Sequence, residues 1–447
     1  MNDVIIVGGG LAGLAAAAFC ARAGLRVTVL ERAKNLGGRA RTDLVSGHAF
    51  NQGGHALYAK GAAARVLGEL GVGYTGAPPP ASGLLAVVRG GVHRLPSGMV
   101  SILATDLFGF GAKVEAARAF TALARADRRQ LRDVSWRSWV DGVAARPDVR
   151  AVLDAFARLT TYANCPERAS AGETIGQIRR GVDGGVLYLD GGWQTLVDGL
   201  QSAAERAGAT IVSSAAVTSV RRDGSSFVVS VSGGDAFASR TAIVCTGPST
   251  ARSLLGDASI GGLLAMHAAC LDVGLSGLPR PDRLFALGID RPTYCSVHSA
   301  TARLAERGAT IHLMKYLAPD APADPHGDER ELEALLDLVQ PGWRARVTAR
   351  RFLPNLVSTS ALVEARTRRP EVDATGAVGV FIAGDWVGSE GMLVDAALAS
   401  ARTAAQRAIE CVAVAGADGV QPQRGIATRP VASDGSRAAS DAPSGRP

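Results

Sequence analysis

The chain opens on two short apolar runs separated by a glycine turn and an alanine-rich segment. Residues 4–7 and 27–30 are dominated by β-branched apolar side chains. Strands buried on both faces of a parallel sheet have this composition, because helices cover both sides of such a sheet. The segment 11–23 has a helical pattern, and Gly24 follows it where glycine commonly ends a helix. The pattern therefore predicts a β-α-β unit at the start of the chain.

A different pattern follows in residues 97–162, where long helical periodicities predict three or four helices, for example over 113–132 and 149–161. Beyond this helical insert, short apolar runs between turn residues predict strands. The expected strands are 211–212, 217–221, 227–231, 241–245, 270–275, 283–287, 310–316 and 378–383. A helix is expected over 329–339 and another after the last strand, so the chain is predicted to be a mixed α/β protein.

Composition excludes several classes of protein. The chain has 447 residues, 47% of them hydrophobic and 20% charged, which suits a large buried core. Its six cysteines include no CxxC pair, and no HExxH motif or other spacing of metal ligands occurs. We therefore expect neither a disulfide framework nor a metal site, and a cytoplasmic location.

The net charge says little about binding partners. A formal net charge of +7 accompanies only 5% aromatic residues, and no basic stripe is interleaved with aromatics, so nucleic-acid binding is not expected. Peripheral contact with an anionic membrane surface stays open. No stretch of about 18 apolar residues predicts a membrane span, and glycines interrupt the apolar start where a signal peptide would be continuous. The tail 416–447 is rich in Gly, Pro, Ser and Ala, which predicts disorder.

The first glycine turn has the spacing of a dinucleotide-binding fingerprint. Gly8, Gly10 and Gly13 follow a predicted strand and open a predicted helix. The first glycine permits the tight turn, the second lets a pyrophosphate approach the backbone, and the third lets helix and sheet pack closely. Glu31 ends the second strand, where an acid would bind a ribose hydroxyl. A purely structural glycine turn is the alternative.

A second loop favours FAD over a nicotinamide cofactor. Gly37, Gly38 and Arg39 come directly after the second strand. The two glycines allow another stretch of backbone to lie against a cofactor, and Arg39 offers a forked donor to phosphate oxygens. A solvated Arg-Gly turn is the alternative for this loop taken alone.

With these loops, three later segments make the chain resemble the flavin amine oxidase and phytoene desaturase superfamily. They are FNQGGHALY at 50–58, GGWQ at 191–194, and FIAGDW at 381–386 followed by Gly391 and a helix. The resemblance spans residues 1 to about 412. It implies FAD held by an acid at the ribityl chain and by a helix N-terminus at the flavin. The FAD contacts implied are Gly8, Gly10, Leu11, Ala12, Gly13, Glu31, Arg32, Gly37, Gly38, Arg39, Val217, Gly384, Asp385, Gly391 and Met392.

The resemblance also implies the fold. It is an α/β fold of mixed α+β character, in which a Rossmann-like FAD-binding domain of the glutathione-reductase type, a two-dinucleotide-binding fold, is interleaved with a substrate domain of antiparallel sheet plus helices. We expect the FAD-binding domain to comprise 1–75, 185–255 and 372–415. The substrate domain would comprise 76–184, with the helical insert, and 256–371.

Departures from the family pattern bear on the substrate. Amine oxidases place an aromatic residue where Met392 stands, and neither Tyr nor Phe occurs in 361–377 for the other half of their aromatic cage. Their flavin-associated lysine has no counterpart in 270–277, which leaves Lys315 as a candidate on a later strand. No cysteine lies near Met392, so the FAD is expected to be non-covalent. The desaturase-like branch is therefore favoured, and the insert is either the wall of an apolar tunnel or a packed cap.

Candidates for catalysis are few. His55 and Tyr58 lie in the segment that passes the flavin in the family, and either could orient a substrate or exchange a proton. A structural His55 is an equal alternative. Tyr188, Trp193 and Gln194 flank the second glycine pair and are candidate wall residues of a substrate pocket. The other histidines on predicted strands, His267, His298 and His312, are by default core or surface residues.

The sequence thus predicts an FAD-dependent oxidoreductase that removes a hydride from a C–H or C–N bond of a largely apolar small molecule. O₂ or a quinone would reoxidise the flavin, which makes the protein an oxidase or a desaturase or dehydrogenase. An amine oxidase with an altered cage and a protoporphyrinogen-oxidase-like enzyme are the enzymatic alternatives. A flavin-binding protein with a blocked flavin face is the non-enzymatic one. The sequence leaves the oligomeric state open.

Overall fold

The initial β-α-β unit forms where the apolar runs predict it. Strand β1 (Asn2–Val7) pairs in parallel with β2 (Val27–Leu30), and helix α1 (Leu11–Arg22) connects them. Both strands are buried along almost their whole length. The structure, a computed structural model, describes residues 1–96, 105–257 and 259–418. Residues 416–418 of the tail that is predicted to be disordered are helical, and the rest of that tail, 419–447, lies outside the described residues, as does the first part of the insert, 97–104.

The remaining elements follow in chain order. The strands are β3 (Thr42–Val45), β4 (His48–Asn51), β5 (Leu57–Tyr58), β6 (Gly76–Ala77), β7 (Leu84–Val88), β8 (Gly91–Arg94), β9 (Val186–Leu189), β10 (Thr210–Val212), β11 (Val217–Asp223), β12 (Ser226–Val231), β13 (Ala236–Val244), β14 (Met266–Leu275), β15 (Phe285–Gly288), β16 (Thr293–Ser296), β17 (Ala309–Leu317), β18 (Val347–Thr359) and β19 (Val380–Ile382). The helices are α2 (Ala62–Glu69), α3 (Phe110–Arg125), α4 (Trp136–Val143), α5 (Pro147–Thr161), α6 (Ala171–Gly184), α7 (Gln194–Arg206), α8 (Pro248–Leu255), α9 (Pro325–Val339) and α10 (Leu393–Asp418).

The first sheet is parallel at its centre and carries an antiparallel hairpin at one edge. Its strand order is β10-β2-β1-β13-β12-β11, and β19 also pairs with β13. Strand β13 is longer than the predicted 241–245, because its first half pairs antiparallel with β12 and its second half parallel with β1 and β19. Helix α1 packs against α7 and α10, so the alanine-rich helix is covered on both sides.

The second sheet is mostly antiparallel, with the order β18-β14-β17-β16-β15-β7-β8. The sequence predicts β14, β15 and β17. It misses β7, β8, β16 and β18. One face of the sheet, here called the inner face, packs against α3 to α6 and includes Cys270, Met314 and Tyr316. The outer face packs against α9 and includes Leu271 and Leu313.

The described part of the insert contains helices α3, α4 and α5. The predicted helix 113–132 is wrong in its C-terminal end, because the backbone becomes extended at Ala126. The loop that follows packs on the start of α6, where Ala171 and Gly172 donate backbone hydrogen bonds to the carbonyls of Val134 and Leu131, at 2.9 and 3.0 Å. Tertiary contact therefore ends the helix although the sequence continues its pattern.

A small third sheet has the strand order β5-β9-β6. In the sequence, its strands fall among those of the two large sheets. The mixed α/β fold is as predicted. The domain boundaries stay a prediction, with which the separation of strands into two large sheets agrees. None of the helices in the described ranges is long and apolar enough to cross a membrane.

Candidate functional site

The glycine turn at the carboxyl end of β1 has three different steric requirements. Gly8 has a φ of +109°, and a β-carbon on it would lie 2.8 Å from the carbonyl oxygen of Cys245. A β-carbon on Gly13 would collide with the carbonyl oxygen of Gly8. One on Gly10 would meet no described protein atom within 4 Å. Backbone packing therefore requires the first and third glycines, while Gly10 keeps the front of the turn free of a side chain. Leu11 and Ala12 begin α1 there.

Glu31 joins this turn to the end of β2. Its carboxylate accepts hydrogen bonds from Gly9 N at 2.6 Å and from Ala33 N at 2.8 Å. A carboxylate has further lone pairs, so Glu31 can still accept a ribose hydroxyl. Arg32 beside it is exposed. Ala215 donates its backbone N–H to the Glu31 carbonyl at 2.8 Å, which brings the chain leading to Val217 alongside this end of the turn.

The two glycine loops lie against each other. Gly37 donates its N–H to the carbonyl of Gly9 at 2.8 Å, and Gly37 and Gly10 form an isolated parallel bridge. Gly37 and Gly38 both have positive φ values, +106° and +53°. The loop could not follow this path with ordinary side chains, because such conformations are strained for them. The contact supports the prediction that both loops hold one cofactor.

The structure gives Arg39 a different partner from the one predicted. Its guanidinium makes a two-pronged ion pair with Asp385, with distances of 2.7 and 3.0 Å. Asp385 is almost fully buried and also accepts from Ser360 N at 2.8 Å. Although burial raises it, the pKa of Asp385 is lowered overall by Arg39 and Ser360. The prediction of Arg39 as a phosphate ligand is untested, and its guanidinium also has the structural role of balancing a buried acid.

A second arginine, which the sequence analysis missed, positions the last motif. Arg369 donates to the carbonyl of Asp385 at 3.0 Å and to that of Gly391 at 2.7 Å. Gly384 donates its N–H to Ser400 on α10 at 3.0 Å. Met392 is buried next to the start of α10 at Leu393. The N-terminus of a long helix is thereby fixed beside Asp385, where its free N–H groups and dipole favour negative charge.

The segment Gly53–His55 lies under the inner face of the second sheet. A β-carbon on Gly53 would lie 3.1 Å from Cys270 Sγ, and one on Gly54 would lie 3.0 Å from Met314 Sδ. The segment thus fills the space between the glycine loops and the sheet, as a strand passing the flavin would. A side chain at Gly53 or Gly54 would require the neighbouring side chains of the sheet to shift.

His55 and Trp193 come together from two predicted motifs. Their rings make an edge-to-face contact with centroids 4.6 Å apart. His55 Nδ1 lies 3.0 Å from the Gly53 carbonyl, so this nitrogen carries the hydrogen and Nε2 keeps its lone pair. Burial lowers the pKa of His55 to about 4, which makes it a neutral acceptor at neutral pH. The buried Nε1 of Trp193 has no hydrogen-bond partner among the described residues.

A cluster of tyrosines lies near the segment Gly53–His55. The chain has six, and five of them, from separate elements, interact with one another: Tyr58, Tyr162, Tyr188, Tyr294 and Tyr316. Tyr162 and Tyr316 meet edge to face with centroids 6.3 Å apart. Tyr58 donates its hydroxyl to the Thr160 carbonyl at 3.1 Å, and burial raises its pKa, so it is not a base at neutral pH. No local pattern could reveal this cluster, because its members are far apart in sequence.

Three predicted residues lie elsewhere or have other partners. Lys315 is on the outer face of β17 and pairs with Asp328 and Glu331 of α9, at 2.8 and 2.5 Å. The structure therefore does not bring Lys315 to His55 and Tyr58. Gln194 lines an outer, polar cleft of about 560 Å³ next to Thr42. Tyr188 is buried in a hydrogen-bond network rather than forming an open wall.

The residues present fit a bound FAD. Two glycine loops in backbone contact, an acid at the end of β2 and a helix N-terminus beside Gly391 are the features that hold the parts of such a cofactor. The open front of Gly10 and the unpartnered Trp193 Nε1 are features that a ligand would explain. Within the described ranges, no three or more side chains of His, Cys, Asp or Glu converge as metal ligands do.

Comparisons with known proteins agree with this geometry. The sequence model of the family described as flavin containing amine oxidoreductase matches residues 11–409. An uncharacterised protein of Mycobacterium tuberculosis is 32% identical over 268 residues, which is 50% of this chain and 49% of that protein. A putative flavin-containing monoamine oxidase of the same organism is 31% identical over 250 residues, 52% of this chain and 54% of that protein. The chain thus spans about half the length of the curated relatives it matches.

Solved structures share this fold. A putative protoporphyrinogen oxidase from Exiguobacterium superposes with a TM-score of 0.70 at 19% identity, over 92% of this chain and 99% of that one. This likeness confirms the predicted fold, and the family match confirms the predicted resemblance and the FAD cofactor. The family match, together with the glycine loops and the architecture, shows that the chain belongs to the family of flavin-containing amine oxidoreductases.

Proposed function

We propose that the protein is an FAD-dependent oxidoreductase that removes a hydride from a C–H or C–N bond of a largely apolar small molecule. One observation carries the proposal: Gly53–His55 lies between the cofactor loops and an inner sheet face lined by Cys270, Met314 and tyrosines. A substrate on this side of the cofactor would meet apolar and aromatic groups. Bound FAD would supply the two-electron chemistry.

The chain's own residues would bind and orient the cofactor without a covalent bond. The turn from Gly8 to Gly13 and the start of α1 would hold the pyrophosphate, and Glu31 a ribose. Gly391, Met392 and the start of α10 would face the flavin. Cys270 is the cysteine closest to Gly53, and burial raises its thiol pKa well above the usual value. A thiol that stays protonated is a poor nucleophile, which supports non-covalent binding.

Oxidation of a C–H bond in an apolar substrate, as in a desaturase or dehydrogenase, is the favoured reaction. His55 is neutral, Tyr58 is engaged with a carbonyl, and Lys315 is paired on the outer face. The site therefore offers binding and orientation by apolar and aromatic groups. A charge on the substrate is not needed for such binding.

Amine oxidation is the second candidate, and a specific observation favours it. The edge-to-face pair of Tyr162 and Tyr316 lies near Tyr58, so this part of the site is rich in aromatic rings although Met392 replaces one wall of the usual cage. A cation over a tyrosine ring is stabilised by about 0.5–2 kcal/mol. A protoporphyrinogen-oxidase-like reaction is a further alternative from the resemblance.

For the setting of the reaction, we propose O₂ or a quinone as electron acceptor and a cytoplasmic location. The six cysteines are unpaired, which suits a reducing compartment. Peripheral contact with an anionic membrane is supported by α3, where Phe110 is 85% exposed beside an apolar hollow with basic residues around it.

The test is anaerobic mixing of the yellow holoenzyme with a polyene, a reduced tetrapyrrole and a primary amine, each in turn. Loss of the flavin absorption band identifies the substrate class, and later addition of O₂ or quinone identifies the acceptor. A flavin that no substrate reduces, and that after photoreduction reoxidises slowly with both acceptors, would contradict the proposal in favour of a flavin-binding protein with a blocked face.

A further inference from the structure

Four neighbouring strands of the second sheet place polar side chains opposite one another on the buried inner face. In the order β18, β14, β17 and β16, this row is Arg351, Asp272, His312 and Ser296. Asp272, His312 and Ser296 are fully buried. The adjoining row of the same face covers Gly53–His55. Buried polar groups are costly unless they are paired, so each member of the row needs a partner.

The row contains a fixed charge at one end. Arg351 donates from Nε and Nη2 to Asp272 Oδ2, at 3.0 and 2.6 Å, and from Nη1 to Asp43 at 2.7 Å. The other oxygen of Asp272 lies 2.6 Å from His312 Nδ1. A carboxylate held by an arginine accepts hydrogen bonds, so His312 carries its hydrogen on Nδ1. In the neutral ring, Nε2 then presents a lone pair.

A second histidine, His298, lies next to His312 and contacts two tyrosines. The Tyr294 hydroxyl lies 2.8 Å from His298 Nε2, and Tyr188 stacks on the His298 ring with centroids 3.7 Å apart. Burial raises the pKa of the Tyr294 phenol well above its usual value and lowers that of His298, so the phenol donates and His298 Nε2 accepts. The hydrogen of His298 is then on Nδ1.

The two remaining nitrogens are complementary. His298 Nδ1 carries a hydrogen, His312 Nε2 carries a lone pair, and both are buried with no hydrogen-bond partner in the part of the chain that the structure describes. The two rings meet edge to face with centroids 4.6 Å apart. Each orphan nitrogen thus offers what the other lacks, and a water bonded to both would join them.

We infer that Tyr294, His298, His312 and Asp272 form a proton relay from the substrate side of the sheet to the ion pair of Asp272 with Arg351. This inference rests on the proposed function, because two-electron oxidation removes a hydride and a proton from the substrate. The hydride goes to the flavin, and the relay takes the proton. Tyr294 is the member that reaches the flavin-facing segment, since its ring would lie 3.3 Å from a β-carbon on Gly54.

The transfer balances atom by atom. Tyr294 gives its hydroxyl hydrogen to His298 Nε2 while its oxygen receives the proton from the substrate side. His298 gives its Nδ1 hydrogen to a bridging water, which gives one of its own hydrogens to His312 Nε2, and His312 becomes an imidazolium beside the Asp272 carboxylate. When the electron acceptor is reduced it takes up two protons, and the stored proton leaves by the reverse path.

His298, His312 and Asp272 are positioning residues in this scheme, because they act through Tyr294. Other titratable and charged groups from the packed elements face the relay, and they bear on its pH dependence: Asp43 on β3, His48 on β4, His55 after it, Tyr188 on β9 and Arg351 on β18.

Nitrogen NMR of holoenzyme labelled in its seven histidines tests the relay without a substrate. Signals are assigned with His298→Gln and His312→Gln. The expected result at neutral pH is a neutral ring with its hydrogen on Nδ1 for both residues. An Nε2-protonated His298, or a His312 that is already an imidazolium in the oxidised enzyme, would overturn the relay whether or not the enzyme oxidises a substrate.

Kinetics then separate proton transfer from packing. With a substrate that bleaches the flavin, Tyr294→Phe and His312→Gln should slow the reductive step about 100-fold and abolish its solvent isotope effect. The matched control is His48→Gln, since His48 lies on β4 and is buried against the second sheet, where its ring nitrogens lie 3.1 and 2.8 Å from the hydroxyls of Thr310 and Thr348. It should retain both rate and isotope effect.

Equal losses in His312→Gln and His48→Gln would mean that the row only holds the sheet together, and would overturn the inference. Flavin content and thermal unfolding, measured on every variant, identify any that fails to fold. Correct tautomers in a protein that oxidises nothing would instead contradict the proposed function and with it the relay's part in catalysis, so the two failures are distinguishable.

Discussion

At the scale of single residues, the cofactor site depends on glycines at which a side chain would collide with the protein's backbone or with a bound ligand. Gly8 and Gly13 are required by the protein's own backbone, whereas Gly10 is surrounded by no described atom within 4 Å of a β-carbon. The same three-glycine motif therefore contains two structural positions and one position that matters only for a ligand. That difference makes Gly10 the sharper probe of the cofactor site.

Gly10→Val should fold normally and lose FAD. The branched side chain would occupy the space into which the pyrophosphate comes, and we expect affinity to fall by more than about 100-fold, or about 2.7 kcal/mol. Titration of apoprotein with FAD measures the loss. Gly73→Val is the control, because Gly73 also has open surroundings and lies away from the loops. Unchanged FAD affinity in Gly10→Val would rule out this turn as the pyrophosphate site.

Arg39 gives a prediction about pH. Because Arg39 and Ser360 lower the pKa of Asp385, the pair adds stability that is present above about pH 4 and is lost as the pH falls through the native pKa. Arg39→Gln should lower the free energy of unfolding at pH 7 by about 1–3 kcal/mol, less than for a fully buried pair because Arg39 is partly exposed. Urea unfolding at several pH values should show this difference shrinking in acid. A constant difference would assign the effect to packing.

At the scale of elements, one helix caps another. Asp395 in the first turn of α10 accepts a hydrogen bond from Ala63 N at 2.8 Å, near the start of α2, whose own preceding residue is Gly61 and has no capping side chain. Its other oxygen has no hydrogen-bond partner among the described residues, although Arg180 lies 3.9 Å away. The contact joins the helix that starts at the flavin site to the segment after Tyr58.

Asp395→Asn and Asp395→Ala distinguish the cap from the charge. Asn keeps the acceptor for Ala63 N, whereas Ala loses it, so Ala should cost about 1 kcal/mol more in free energy of unfolding. Burial raises the pKa of Asp395, so its charge lowers stability as the pH rises above the unfolded value, and Asn removes that penalty. Equal losses in both variants, measured by urea unfolding at pH 7, would mean that the cap contributes nothing.

At the scale of the whole molecule, the β3–β4 hairpin connects the cofactor loops to the second sheet. Arg351 binds Asp272 in the sheet, Asp43 in the hairpin and the carbonyl of Asn51. Asn51 in turn accepts from Trp193 N at 2.9 Å. The flavin-facing segment is thus held on both sides by polar contacts between parts of the chain that are distant in sequence.

Non-covalent binding is tested on the whole protein. Acid precipitation should release all FAD into the supernatant, because the thiol closest to Gly53, that of Cys270, is buried and stays protonated. The flavin spectrum of supernatant and pellet gives the result. Flavin that stays with the denatured pellet would contradict the prediction.

Local patterns in the sequence were enough for the β-α-β unit, both glycine loops and the family resemblance. The unit and the loops depend on residues within about thirty positions of one another, and the resemblance depends on several such short motifs, within each of which spacing decides which groups can meet. The positions of ten strands and the mixed α/β fold also follow from such patterns. The end of the helix predicted over 113–132 did not, because a contact with the start of α6 decides it.

Tertiary structure alone decided which side chains share the site. Arg39 and Asp385 are 346 positions apart, and the face on which Lys315 lies depends on the register of β17. The row through Asp272 and His312 exists only because four strands align, although a lone acid in an apolar strand was a visible sign. Sequence thus determined the cofactor, through local backbone geometry, while long-range register determined the tyrosines, the relay and the partners of each charge.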